Sequence, residues 1–178
     1  LIVATLNNLS NMVEMLIDRR ASLEARDKAT NTPLMLAALH NQDRAAKSLI
    51  EGKASLEVKD RAGNTPLQVA TIFDHTHIAE ALINGNAIVD SVNRAGNTAL
   101  MLAALSNRAE IARVLISGKA SMTATNCTKS LIFKLAESDH RLTLTRVLHR
   151  NEVFLQGMPI AGDFIHMSSK STHQEENE

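Results

Sequence analysis

The sequence holds one cysteine, Cys127, and neither tryptophan nor tyrosine. A single cysteine excludes an intramolecular disulfide and any zinc site built from several cysteines. Without Trp or Tyr, four Phe must supply every large flat contact, which all but excludes stacking platforms for exposed bases. Neither sign of charge is in excess, with 19 Lys and Arg against 19 Asp and Glu. That balance disfavours a whole-surface attraction to nucleic acid or to an acidic membrane, while local patches stay open. No apolar run approaches the roughly 20 residues needed to cross a bilayer, so membrane insertion is not expected. No basic segment leads into an apolar one at the start, so no signal peptide is expected, and the chain is placed inside the cell, in cytoplasm or nucleus. The 178 residues are 44% hydrophobic and 21% charged, enough for a packed core with an ordinary surface.

What is present is a repeat. The segments Asn31-Thr32-Pro33-Leu34-Met35-Leu36-Ala37-Ala38, Asn64-Thr65-Pro66-Leu67-Gln68-Val69-Ala70-Thr71 and Asn97-Thr98-Ala99-Leu100-Met101-Leu102-Ala103-Ala104 follow one another at 33-residue spacing. Flanking columns keep the same register: Asp27, Asp60 and Asn93; Ala21, Ala54, Ala87 and Ala120; Leu16, Leu49, Leu82 and Leu115. Several columns holding one period over about 120 residues mark a stacked repeat architecture rather than chance identity.

The chain resembles the ankyrin-repeat family, whose units run to 33 residues with a Thr-Pro-Leu-His-x-Ala signature. The resemblance spans roughly residues 1–150, as about five units with the first truncated and the last degenerate. It implies an all-α solenoid of stacked helix-turn-helix units with hairpin tips, whose concave side usually binds other proteins. It is specific as to fold and nearly silent as to partner.

Local chemistry agrees with that fold. Thr32 is placed to cap a helix by accepting from backbone N–H groups that would otherwise be orphaned. Pro33 suits the first helical position, where its missing N–H costs nothing. Leu34, Leu36 and Ala37 open a short apolar helix, with the alanines permitting close approach. A second apolar set at helical spacing follows as Ala45, Ala46, Leu49 and Ile50, and recurs as Ile78, Ala79, Leu82, Ile83 and Ile111, Ala112, Leu115, Ile116. Neither helix is long enough to be stable alone, so each must bury its apolar face against neighbouring units.

Both ends depart from the pattern. Leu1-Ile2-Val3-Ala4 aligns with Leu34-Met35-Leu36-Ala37, without the preceding hairpin and without the polar face of a natural cap; a fragment of a longer protein or an unusual cap is expected. Ser130 to Ala136 replaces the Thr-Pro-Leu signature, while Leu142, Leu144, Val147 and Leu148 still supply an outer-helix face. Lys134, Asp139 and Arg141 make this last unit polar, as a cap requires. Residues 151–178 form a C-terminal extension. In it Val153, Phe154, Leu155 and Ile160 could fold back, and Met167 to Glu178 is polar and expected to be mobile.

Glycine is displaced. At the exit of the outer helix the family has Gly, where a left-handed residue is needed, but Arg20, Lys53, Asn86, Lys119 and Glu152 stand there and Gly52, Gly85 and Gly118 come one residue earlier. The turn is expected to re-form around the shifted Gly. Between the two helices Asn8, Asn41, Asp74, Asn107 and His140 replace another Gly, a mild change because Asn and Asp tolerate positive φ.

Catalytic and metal chemistry finds little support. Gly-Asn-Thr at 63 and 96 belongs to the hairpin, with no Lys-Ser/Thr at phosphate-loop spacing. His75 and His77 lie at the turn into an outer helix, where the resemblance itself favours His at the first position, so a structural or solvent-facing role is preferred to a metal pair. Cys127 has Lys129 nearby and His140 further along, but no base, orienting group or oxyanion donors. Glu24, Glu57 and Asp90 recur at 33 spacing, as a structural or solvated hairpin column would rather than a general acid. The sequons at Asn8 and Asn126 are taken as chance. No cofactor or metal is expected.

The candidate partner-binding residues fall in two columns. Lys28, Arg61 and Arg94 sit at the hairpin tips; Leu39, Ile72 and Leu105 end the inner helices, with His40, Phe73 and Ser106 beside them. Met35, Gln68, Met101 and Lys134 replace the His of the signature. Together they would form a groove with an apolar stripe edged by cations, taking Lys28, Leu39, Arg61, Ile72, Phe73, Arg94 and Leu105 as contacts. The plainer reading has solvated cations and apolar residues packed between neighbouring inner helices. A monomeric, non-catalytic module for a protein or peptide partner is the expected function. The alternative is the targeting segment of a larger enzyme, and a bare structural spacer would predict a polar concave side. Nucleic-acid binding is not expected.

Overall fold

A computed structural model describes residues 1–123. Among these residues the architecture is all-α: α1 Ile2–Leu6, α2 Ser10–Asp18, α3 Pro33–Leu39, α4 Asp43–Glu51, α5 Pro66–Ile72, α6 Thr76–Asn84, α7 Ala99–Leu105 and α8 Ala109–Ser117. The odd-numbered helices pack on one another in order, as do the even-numbered ones, and each pair closes on itself. Four helix pairs thus stack at the period read from the sequence. The expected fifth unit and the 151–178 extension lie outside the described residues.

Capping sets where the inner helices begin. The Thr32, Thr65 and Thr98 hydroxyls accept from the N–H groups of Met35, Gln68 and Met101 at 3.3, 3.4 and 3.3 Å, and Pro33 and Pro66 occupy the first helical position. Each cap is worth about 1 kcal/mol. Thr65 and Gln68 close a full capping box, with the Thr65 N–H donating to Gln68 Oε1 at 3.0 Å. The Gln68 amide also donates to the carbonyls of Ser91 and Asn97, both at 2.8 Å. Gln68, which replaces the signature His, therefore ties its own unit to the tip of the next.

Leu34, Leu36, Leu67 and Leu100 on inner helices, and Leu49, Leu82 and Leu115 on outer ones, are buried. Each contributes about 1.5–3 kcal/mol of burial. Ala37, Ala38, Ala70, Ala103 and Ala104 are sealed between them, which lets the inner helices approach closely. At the tips, Asp27 Oδ1 accepts from the N–H groups of Ala29 and Asn31 at 2.8 Å. Asp60 accepts from Asn64 N–H at 2.8 Å, and Asn93 from Ala95 and Asn97 at 3.0 Å. A short acceptor side chain is what this turn requires, which is why the column accepts Asp or Asn.

The expectation about the exit turns is corrected. Gly52, Gly85 and Gly118 have φ of −68°, −77° and −76°, while Arg20, Lys53, Asn86 and Lys119 hold φ between 57° and 69°. The hydrogen bonds dictate this. The N–H of Ala54 reaches back to Leu49 O at 2.9 Å and that of Lys53 to Ile50 O at 3.0 Å, the pairing that requires the residue between Gly52 and Ala54 to be left-handed. Glycine is needed one position earlier for room instead. A Cβ on Gly52, Gly85 or Gly118 would meet Cγ2 of Ile17, Ile50 or Ile83 at 2.8, 2.8 and 2.9 Å. Between the helices Asn8, Asn41, Asp74 and Asn107 carry positive φ, as their residue types allow; His140 lies outside the described residues.

Candidate interaction surface

The ends of the inner helices carry the apolar column. Leu39, Ile72 and Leu105 are the last residues of α3, α5 and α7, and Phe73 is the residue that closes α5. They are not equivalent. Leu39 packs partly buried against the core and Ile72 is half-buried. Phe73 is 48% exposed and Leu105 41% exposed. The sequence left open whether this column packs inward or faces solvent, and the structure divides it: inward at Leu39, outward at Phe73 and Leu105. The Phe73 ring lies near-parallel to His75, with 6.2 Å between centroids and 22° between planes. A ring nitrogen of His75 is 2.7 Å from Ala38 O, which fixes the imidazole between two units. Leu6, one period before Leu39, is also exposed; it was overlooked, although the same 33-residue spacing points to it.

The tips carry the cations. Lys28, Arg61 and Arg94 are all exposed. Arg61 Nη2 donates to Lys28 O at 2.5 Å, and the Arg94 N–H donates to Ala62 O at 3.1 Å, so successive tips are strapped together. A second column, missed in the sequence, runs beside them: Arg26 Nη1 donates to Lys59 O at 3.3 Å, and Lys59 Nζ to Val92 O at 2.6 Å. Arg26, Lys59, Arg61 and Arg94 line a cleft of about 520 Å³ between the tips. Phe73, Ile72, Leu39 and Leu105 do not line it, so the charged and apolar features are separate places on the molecule.

The nearby carboxylates are committed to backbone. Glu24, Glu57 and Asp90 accept from the N–H groups of Ser55, Ile88 and Ser121 at 2.8, 2.7 and 2.8 Å, each linking one unit to the next. Desolvation of Asp27 opposes its ionisation. Hydrogen bonds from Asn31 backbone, Asn31 side chain and Ala29, together with the Arg61 charge, outweigh that and hold its carboxyl below the ordinary value. Among the described residues no three His, Cys, Asp or Glu converge on a position for a metal ion. His77 instead lies 3.8 Å from Glu80 on its own helix. Cys127 lies outside the described residues.

Residues 34–130 match the family described as ankyrin repeats in three copies. The chain belongs to the ankyrin-repeat family. Ankyrin repeats are generally protein–protein interaction modules and are typically non-catalytic. No curated protein matches this chain. Among the described residues no helix is long and apolar enough to cross a membrane.

Proposed function

We propose that this ankyrin chain is a non-catalytic, monomeric binding module that takes a protein or peptide along the inner-helix ends and hairpin tips. The supporting observation is Phe73, an aromatic ring left half in solvent at the end of α5, with Leu105 exposed one unit further on. A folded chain gains by burying such groups, and aromatic and Arg side chains dominate interface hot spots. Phe73 and Ile72 are the apolar anchors, Arg61 and Arg94 the charges at the edge. Leu39 and Lys28 complete the set of proposed contacts. An intracellular setting fits a chain with one cysteine, since it draws nothing from an oxidising compartment. The test is selection of a peptide library on the full chain, followed by titration of the selected peptide against Phe73→Ala; unchanged affinity per folded molecule would refute the reading.

A further inference from the structure

The hairpin tips segregate charge in a way that the neutral total conceals. Arg26, Lys59, Arg61 and Arg94 converge on one cleft of about 520 Å³, with Asp60 as the one carboxylate on its wall. That carboxylate is occupied: Oδ1 accepts from Asn64 N–H at 2.8 Å and Oδ2 from the Asn64 amide at 3.1 Å. Asp27, next to Arg26, is consumed likewise by Ala29 and Asn31. The four ion pairs among the described residues all lie elsewhere, at Arg44–Glu14, His77–Glu80, Arg108–Asp74 and Arg113–Glu110. The hydrogen-bond partners of Arg26, Lys59 and Arg61 in the cleft are carbonyls, on Lys59, Val92 and Lys28, and these leave most of the donors unused; Arg61 also attracts the Asp27 carboxylate through its charge, without a direct ion pair. The Arg94 guanidinium makes no hydrogen bond to described residues.

Carbonyl partners matter here because they hold the cations in place without neutralising them. A cleft with four positive charges, three of them held by carbonyls, whose neighbouring carboxylates already accept from backbone N–H groups and Asn amides, is complementary to anionic oxygens. Guanidinium groups match carboxylates in two-pronged geometry. No aromatic side chain lines the cleft, so it lacks the stacking surface by which single-stranded nucleic acid is held.

We propose that the cleft between the tips of the second, third and fourth units binds an acidic peptide segment of the partner, through side-chain carboxylates seated on Arg26, Lys59, Arg61 and Arg94. This rests on the reading of the chain as a partner-binding module and adds the chemistry that the tips select. The apolar anchor at Phe73 and the acid-binding cleft are then two independent subsites.

The experiment is fluorescence anisotropy of labelled hexaglutamate with the full chain at low ionic strength, with hexaglutamine and a single-stranded oligothymidylate as comparison probes. Hexaglutamate is expected to bind, to weaken steeply with added salt, and to outcompete both other probes. The pair Arg26→Gln with Lys59→Gln weakens it roughly fivefold or more. Arg94→Gln alone weakens it by a smaller factor; it keeps the Cγ that lies over Gly63 and breaks no side-chain hydrogen bond among the described residues, so its fold is expected to survive even if the pair perturbs the tips. Lys47→Gln on the outer helix α4 leaves hexaglutamate affinity unchanged. Absence of hexaglutamate binding, or equal loss with Lys47→Gln and Arg94→Gln, overturns the acidic-peptide cleft. Tighter oligothymidylate binding that falls with the same Arg variants overturns it in favour of nucleic acid. Both outcomes leave the Phe73 subsite standing, which fails only if Phe73→Ala spares the peptide selected on the chain.

Discussion

Ile17 occupies the space that a side chain at position 52 would need, because a Cβ on Gly52 would lie 2.8 Å from Ile17 Cγ2. The same pairing joins Ile50 to Gly85 and Ile83 to Gly118, so each outer helix lays a branched methyl on the end of the next. Isoleucine is stiff at χ1 and cannot easily swing away. Gly85→Ala is therefore expected to lower stability by about 1–3 kcal/mol, as overpacking does. Ile50→Leu, which removes the branch, should recover part of that loss in a double-mutant cycle. Urea titration checks both; a neutral or stabilising Gly85→Ala would mean that the units separate at this point.

The tip column Thr30, Gly63, Gly96 shows φ of 71°, 81° and 74°. A β-branched residue is poorly suited to that conformation. Thr30→Gly should stabilise by about 0.5–1 kcal/mol, the relief of strain less the added freedom of the unfolded chain. Gly63→Ala should do the reverse and more strongly, since its Cβ would meet the Arg94 backbone N at 2.8 Å. Opposite signs at two positions of one column, read as shifts in thermal midpoint, are the expected result.

Acid should weaken the first tip and the contact between α2 and α4. Asp27 and Glu14 both ionise below their ordinary range, Glu14 chiefly through the Arg44 hydrogen bond. A carboxyl whose folded pKa lies below its unfolded value contributes stability at neutral pH. That contribution is lost as pH falls from about 4 through the folded value. Asp27→Asn keeps a turn-forming acceptor, as Asn93 shows in the same column. The variant is expected to fold at neutral pH and to lose less stability than the parent on acidification. An equally steep acid loss in the Asp27→Asn, Glu14→Gln double variant would place the acid sensitivity elsewhere.

Arg61 and Arg94 are exposed at the hairpin tips, and exposed charge steers encounter more than it holds the complex. Arg61→Ala with Arg94→Ala should mainly slow association of the selected peptide and flatten its salt dependence. Stopped-flow kinetics separates this from the opposite pattern, a faster dissociation with association unchanged.

The period of 33 was legible because a stacked unit must present the same capping Thr, the same buried Leu and the same small residue at every step. The seven leucines expected to be buried are buried. The displaced glycine misled because a sequence shows which residue is unusual but not whether it serves a dihedral or a contact. Only the reach of Ile17, Ile50 and Ile83 across units decides that. Exposure within a column was hidden for a related reason. Leu39 and Leu105 are one residue type at one register position, yet Leu39 packs partly buried against the core and Leu105 is exposed, a difference that residue type and register do not carry. Arg26 and Lys59 went unnoticed since their column ends in Val92, which broke the charge pattern in the sequence, although each side chain reaches the carbonyl one period on.

Everything proposed for the apolar surface turns on Phe73 as the anchor for a partner. The most direct measurement is calorimetric titration of a library-selected peptide against the full chain and its Phe73→Ala variant, with the folded fraction of each fixed by circular dichroism. The expected result is a loss of about 2 kcal/mol or more, roughly thirtyfold in affinity, with the fold retained. Equal affinity per folded molecule, or a variant that unfolds while the folded remainder binds as before, would contradict it and make Phe73 a packing residue.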